Sequence, residues 1–183
     1  MDAHRNIVLI GLMGAGKTTV GRRLSQRIGR AMVDTDQEIE QRCGTSVAVI
    51  FEVEGEEGFR RRESKVVDEI MARQDLIVTT GGGAPMAPEN QQALSKGFVI
   101  YLEADPRLLW TRLKTDQSRP LLTQADDPRA KIEELHAVRD PIYRGLADHV
   151  VSSTKGSLAQ VLGQIEARLV AEGLAAPSEK DVT

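Results

Sequence analysis

Ile7-Val8-Leu9-Ile10-Gly11-Leu12-Met13-Gly14-Ala15-Gly16-Lys17-Thr18 is the stretch that decides the fold. Four apolar residues in a row read as a buried strand. After Gly16, the residues Val20, Leu24 and Ile28 recur every four positions, as in a helix, and Gly29 supplies a stop. Strand, glycine turn and helix in that order aim backbone N–H groups and the positive helix end at one point, which suits a phosphate. Gly14, Ala15 and Gly16 form the turn. Lys17 adds a full charge for the β/γ-phosphates, and the hydroxyl of Thr18, with Thr19 beside it, is suited to Mg²⁺. A turn that binds nothing would leave the Lys-Thr pair unexplained. The stretch predicts binding of a nucleoside triphosphate.

Outward from this loop, strands and helices alternate. Ala31-Met32-Val33 is a second strand ending at Asp34, followed by helical segments at about 36–43 and 46–53 and a longer one from about Glu56 to Arg73. Leu76 to Thr79 forms a third strand that runs into Gly81-Gly82-Gly83. A helix near 88–96 leads to the strand Phe98 to Leu102, and Asp105-Pro106 opens a further helix in the N-cap and N1 manner. Residues 115–127 carry no periodicity, and so long a loop in a compact domain points to function. A helix from about Pro128 to Leu146, kinked near Pro141, precedes a brief strand at His149-Val150-Val151 and a last helix of about Ser157 to Glu172. The pattern predicts one α/β domain over 1–173 with a parallel sheet covered on both faces, and a frayed tail over 174–183.

Bulk composition narrows the partners. A length of 183 residues, 40% hydrophobic and 28% charged, is ordinary for a soluble globular domain. A net charge of -3 and 3% aromatic content argue against nucleic-acid binding. Cys43 is the single cysteine, which excludes an internal disulfide and a cysteine-based zinc site. No signal peptide and no apolar run of bilayer length is present, so the expected location is the cytoplasm, without a membrane partner, and the simplest expected state is a monomer.

In parallel sheets, ligands bind beyond the carboxyl ends of the strands. The phosphate loop, the Asp34/Asp36 pair and Gly81 to Gly83 all fall there. In an extended segment both aspartates point to one side, and two like charges call for a cation or a shared proton. Thr35 followed by Glu38 offers another reading, a capping box that starts a helix, but it leaves the second carboxylate unexplained. Three consecutive glycines favour close approach of a ligand to bare backbone over a simple turn. Arg60 and Glu63, three residues apart on a helix, read from that segment alone as a surface pair. Arg139 lies four residues after Leu135 and three before Ile142, on or beside an inward stripe. There its charge needs a partner, either an anionic substrate or an internal carboxylate. Arg119, in the aperiodic loop, fits a lid that closes over phosphates.

Taken together, these residues resemble the shikimate kinases from about Asn6 to Leu169. The resemblance rests on the Gly11–Thr18 loop, Val33-Asp34-Thr35-Asp36 with Glu38-Ile39-Glu40, Phe51, and Gly58-Phe59-Arg60 with Glu63. It extends through Thr80-Gly81-Gly82-Gly83, Arg119-Pro120-Leu121-Leu122 and Arg139-Asp140-Pro141-Ile142-Tyr143. It implies a P-loop kinase fold with a five-stranded parallel sheet, a mobile lid near 115–127, and ATP-dependent phosphorylation of the shikimate 3-hydroxyl on the route to chorismate and the aromatic amino acids. By the same resemblance Arg60 and Arg139 grip the substrate carboxylate, and Gly81, Gly82 and Gly83 offer backbone donors. Asp36 orients the attacking hydroxyl or accepts its proton, while Asp34 holds Mg²⁺ through water beside Thr18. Lys17 and Arg119 neutralise the transferred phosphoryl group, and Arg112 lies against the adenine. Phe51 and Phe59 wall the pocket, and Glu63 orients Arg60. Three rivals differ in what they need. A gluconate-type kinase shares the phosphate loop but lacks a reason for the triple glycine together with both arginines, and a nucleotide switch has no use for a base at an acceptor pocket. An RNA binder would carry more basic charge.

Overall fold

The computed structural model describes residues 3–114, 120–123 and 125–177. Its centre is β1 (Ile7–Ile10), whose residues are all wholly buried, as the apolar run requires of a strand covered on both faces. Four more strands join it: β2 (Ala31–Asp34), β3 (Leu76–Thr79), β4 (Phe98–Glu103) and β5 (His149–Ser152). The sheet order is β2-β3-β1-β4-β5, and every pairing is parallel. Between strands run α1 (Lys17–Ile28), α2 (Thr35–Cys43), α3 (Val47–Met71), α4 (Pro88–Leu94), α5 (Pro106–Leu113), the short α6 (Pro120–Thr123) and α7 (Pro128–Leu146). The chain closes with α8 (Leu158–Ala171), and a 3₁₀ turn spans Ala84–Met86. The expected five-stranded parallel sheet flanked by helices is the observed one.

The break expected between the segments at about 46–53 and from Glu56 is present, as a kink within α3 where Gly55 takes φ 70° and ψ 178°. Other local expectations are corrected. The start of α2 is capped by Asp34 rather than Thr35: its side chain accepts from the amides of Asp36 and Gln37. Asp36 therefore stands in a helical turn, and the extended geometry expected for the aspartate pair ends at Asp34. The helix α7 runs through Pro141 to Leu146 without interruption. Within the segment expected to be aperiodic, 120–123 form a helical turn whose Leu122 is buried. The supposed frayed tail begins later than expected, because Leu174 is only 4% exposed and its amide donates to the Leu169 carbonyl at 2.8 Å.

Candidate active site

The phosphate loop is shaped by its own side chain. Lys17 is buried and its Nζ donates to the carbonyls of Gly11 and Leu12, each at 2.8 Å, so the ammonium curls over the loop. Gly16, the N-cap of α1, sits at φ 91°, a conformation open to glycine without a steric penalty. Arg112 reaches the loop from α5, donating from Nη1 to the Gly14 carbonyl at 3.1 Å and from Nη2 to the Ser153 carbonyl at 3.5 Å. These groups, with Ala15, Thr18, Thr19, Asp34 and Leu158, line a cleft of about 520 Å³. That volume is in the range of small-ligand sites, roughly 300–1,000 Å³.

Asp34 ends β2 and is saturated with donors. Its Oδ2 accepts from the Thr18 hydroxyl at 2.9 Å and from the Thr79 hydroxyl at 2.8 Å, while Oδ1 takes the amides of Asp36 and Gln37 at 3.1 and 3.3 Å. One carboxylate thus ties together β2, β3 and the first turns of α1 and α2. The charge of Asp34 is compensated by these hydrogen bonds.

Next to this cleft lies a smaller cavity of about 70 Å³, lined by Asp36, Phe51, Phe59, Arg60, Glu63, Gly81 to Gly83 and Arg139, among others. Phe51 and Phe59 pack with ring centroids 4.7 Å apart, and the Arg60 guanidinium lies 5.3 Å from the centre of the Phe59 ring. Glu63 is 0% exposed and accepts from Arg60 Nη1 at 2.6 Å. The surface-pair reading of these two residues is therefore overturned: the bend at Gly55 and the packing of Phe59 turn this side of α3 inward. Burial works against the charge on Arg60, but Glu63 and Glu56 outweigh it and raise its pKa. Burial pushes the Glu63 carboxyl up, against the pull of Arg60. Arg139 is 6% exposed, and its Nη1 has no hydrogen-bond partner among the described residues. A buried guanidinium with an open donor suits an incoming anion.

The triple glycine leaves room for the charged side chains that crowd it. None of the three has positive φ. A Cβ on Gly81 would lie 2.7 Å from Asp36 Oδ1 and 2.8 Å from Glu63 Oε1, and one on Gly83 would lie 2.3 Å from Arg60 Nη2. A Cβ on Gly82 would press on the Met13 amide at 3.3 Å. The Gly81 N–H already donates to the Thr35 hydroxyl at 3.2 Å, whereas no acceptor takes the Gly82 or Gly83 N–H among the described residues.

Most residues expected at the site converge on the two cavities. Arg119 lies outside the described residues, and neighbouring Leu121 lines the smaller cavity. Reading the sequence missed Thr79 and Tyr143. Thr79 carried no signal, being one of two threonines at a strand end. Tyr143 stood inside the quoted Arg139–Tyr143 motif, four residues from Arg139, and that helical spacing was the clue.

Comparison with known proteins agrees with this geometry. A family model described as shikimate kinase matches residues 13–170. A shikimate kinase of Ralstonia nicotianae is 49% identical over 173 residues, which cover 94% of this chain and 90% of that protein. One of Burkholderia thailandensis is 48% identical, covering 96% of this chain and 98% of its own length. Among solved structures, a shikimate kinase from Acinetobacter baumannii in complex with shikimate superposes with a TM-score of 0.88 at 40% identity. That match covers 92% of this chain and 94% of the other.

Proposed function

The chain belongs to the shikimate kinase family and catalyses ATP-dependent phosphorylation of shikimate on the route to the aromatic amino acids; from that premise we propose how its own residues divide the work. The observation that carries the division is that the two cavities meet: Met13, Asp36, Gly81 and Gly82 line both. ATP occupies the larger cleft, with its phosphates on Gly14 to Thr19 and its adenine against Arg112. Shikimate occupies the smaller pocket, walled by Phe51 and Phe59.

Arg60 and Arg139 grip the shikimate carboxylate, since planar guanidinium forks match it bidentately. Glu63 holds Arg60 in its place. Gly82 and Gly83 present their amides, and Gly81 contributes by its lack of a side chain. Asp36, at the junction of the cavities, orients the 3-hydroxyl toward the γ-phosphate and receives its proton. Phosphoryl transfer through a loose transition state asks mainly for positioning and charge neutralisation. Lys17 supplies that charge; the Arg119 expected to join it lies outside the described residues.

Mg²⁺ fits the donors present. The Thr18 hydroxyl and Asp34 carboxylate stand 2.9 Å apart at the cleft. Among the described residues there is no cluster of three or more His, Cys, Asp or Glu able to cage a metal. Mg²⁺ is commonly held by one or two carboxylates, waters and phosphates. Asp34 already accepts four hydrogen bonds, so it would hold the ion through water, beside the Thr18 hydroxyl. The ion would supply charge neutralisation for the transferred phosphoryl group. We further assign the catalytic unit to a single domain that includes the packed Leu174, acting as a cytoplasmic monomer; among the described residues no helix is long and apolar enough to cross a membrane.

The test is ADP release from Mg²⁺-ATP with and without shikimate, with gluconate and nucleoside monophosphates as controls. Stimulation by shikimate alone is expected. Stimulation by another acceptor would reassign Asp36, Arg60 and Arg139, and none by any acceptor would revive the switch reading.

A further inference from the structure

The carbonyls of the three glycines are held by different partners. Those of Gly81 and Gly83 accept from the amides of Ala84 and Met86 at 3.1 and 3.0 Å, bonds made within the following turn. The middle carbonyl, of Gly82, accepts from the Tyr143 hydroxyl of α7 at 2.5 Å. A peptide unit is planar and trans, so the carbonyl of one residue and the N–H of the next point in opposite directions. Holding the Gly82 carbonyl therefore sets the direction of the Gly83 N–H, which has no acceptor among the described residues.

Resting on the acceptor pocket assigned above, we propose that Tyr143 is a positioning residue that fixes the Gly82–Gly83 peptide unit so that the Gly83 N–H donates to an oxygen of the bound acceptor. Tyr143 is built for this task. It is wholly buried, and its ring packs on Tyr101 with centroids 5.0 Å apart, which stops the hydroxyl from swinging away. It lies four residues after Arg139, so one face of α7 carries both the guanidinium and the group that aims the amide. Burial pushes its hydroxyl up to about 12, so it remains a donor across the working pH range. Without this bond the Gly82 carbonyl loses the hydrogen bond that sets the tilt of the Gly82–Gly83 peptide.

Tyr143→Phe keeps the ring and removes the hydroxyl. The expected result is a rise of about tenfold in KM for shikimate, the size of one well-made hydrogen bond, with KM for ATP unchanged. Tyr101→Phe is the control: it removes the neighbouring hydroxyl from Asp140, 2.8 Å away, without touching the glycines, and should keep both KM values. An unchanged shikimate KM in Tyr143→Phe, an equal rise for both substrates, or the same rise in Tyr101→Phe would each overturn the proposal. Should Tyr143→Phe fail to fold, shikimate titrated into the isotope-labelled wild-type protein gives a second readout. The Gly83 amide proton should move downfield, and an unmoved Gly83 signal in the saturated protein would reject its role. Wild-type enzyme that ignores shikimate would remove the pocket assignment itself; active wild type with an unmoved Tyr143→Phe rejects only Tyr143.

Discussion

Asp34 and Asp36 are two residues apart and chemically identical, yet their surroundings give them different work. Asp34 spends its oxygens on two hydroxyls and two amides, so it is a structural anchor. Asp36 stands where the two cavities meet. Asp36→Asn should lower kcat by at least about 100-fold, the lower range for a positioned acid or base, and leave ATP affinity intact. Equilibrium binding of ATP alongside steady-state rates checks this, and an unchanged kcat would remove Asp36 from the mechanism. Gly83 makes a subtler test. An added Cβ would meet the Arg60 guanidinium, the flexible end of a long side chain, which can retreat. Gly83→Ala should therefore fold with nearly the wild-type melting temperature while KM for shikimate rises. A large fall in melting temperature with an unaltered KM would show that Gly83 serves the fold alone.

The helix α3 decides whether Arg60 and Glu63 face outward or inward. Its two halves meet at Gly55, whose φ 70° and ψ 178° belong to a region used almost solely by glycine. A Cβ there would meet nothing within 4 Å, so any cost of substitution is conformational. Gly55→Ala should destabilise the protein by about 1–3 kcal/mol, read from denaturant midpoints, because alanine is strained in that conformation. No change would mean that the bend relaxes at little cost. The sequence marked both halves of α3 as helical with a break between about 53 and Glu56, where Gly55 makes the bend, but the direction in which the second half turns is set by its packing. Likewise Thr35 was a sound capping residue by pattern. Asp34 took the cap because the end of β2 brings its carboxylate over the first amides of α2.

Across the whole molecule, the sheet is locked to its helices by polar clamps as well as by its apolar core. Arg30 donates to the carbonyls of Ala3, Arg5 and Leu174 at 2.6, 2.8 and 2.7 Å, joining both ends of the described chain. On the other side, Tyr101 and Glu103 of β4 meet Asp140 and Arg144 of α7. Burial works against the Asp140 carboxylate, but hydrogen bonds from Arg144 and Tyr101 prevail and hold its pKa below the ordinary 3.8. A carboxylate with a lowered folded pKa adds stability above its unfolded pKa and loses it as pH falls through the folded one. Asp140→Asn should thus lower stability at neutral pH and flatten the fall below the ordinary value of 3.8. Urea midpoints measured from pH 7 to pH 2.5 give the comparison, and an acid limb as steep as wild type would exclude Asp140 from the acid response.

The order of strands and helices, the phosphate loop and the gathering of charged residues at one sheet edge followed from the sequence alone. They depend on local periodicity, on glycine and lysine at fixed spacing, and on a rule of parallel sheets that holds whatever the details. Only the tertiary structure decided that the Arg60–Glu63 pair faces inward, what crowds the glycines at 81–83, and the Tyr143 contact to Gly82. These are facts about distance between segments far apart in the chain, set by how α3 and α7 pack on the Ala84–Met86 turn that follows β3. A side chain's sequence position fixes its chemistry, but its neighbour is chosen by the fold.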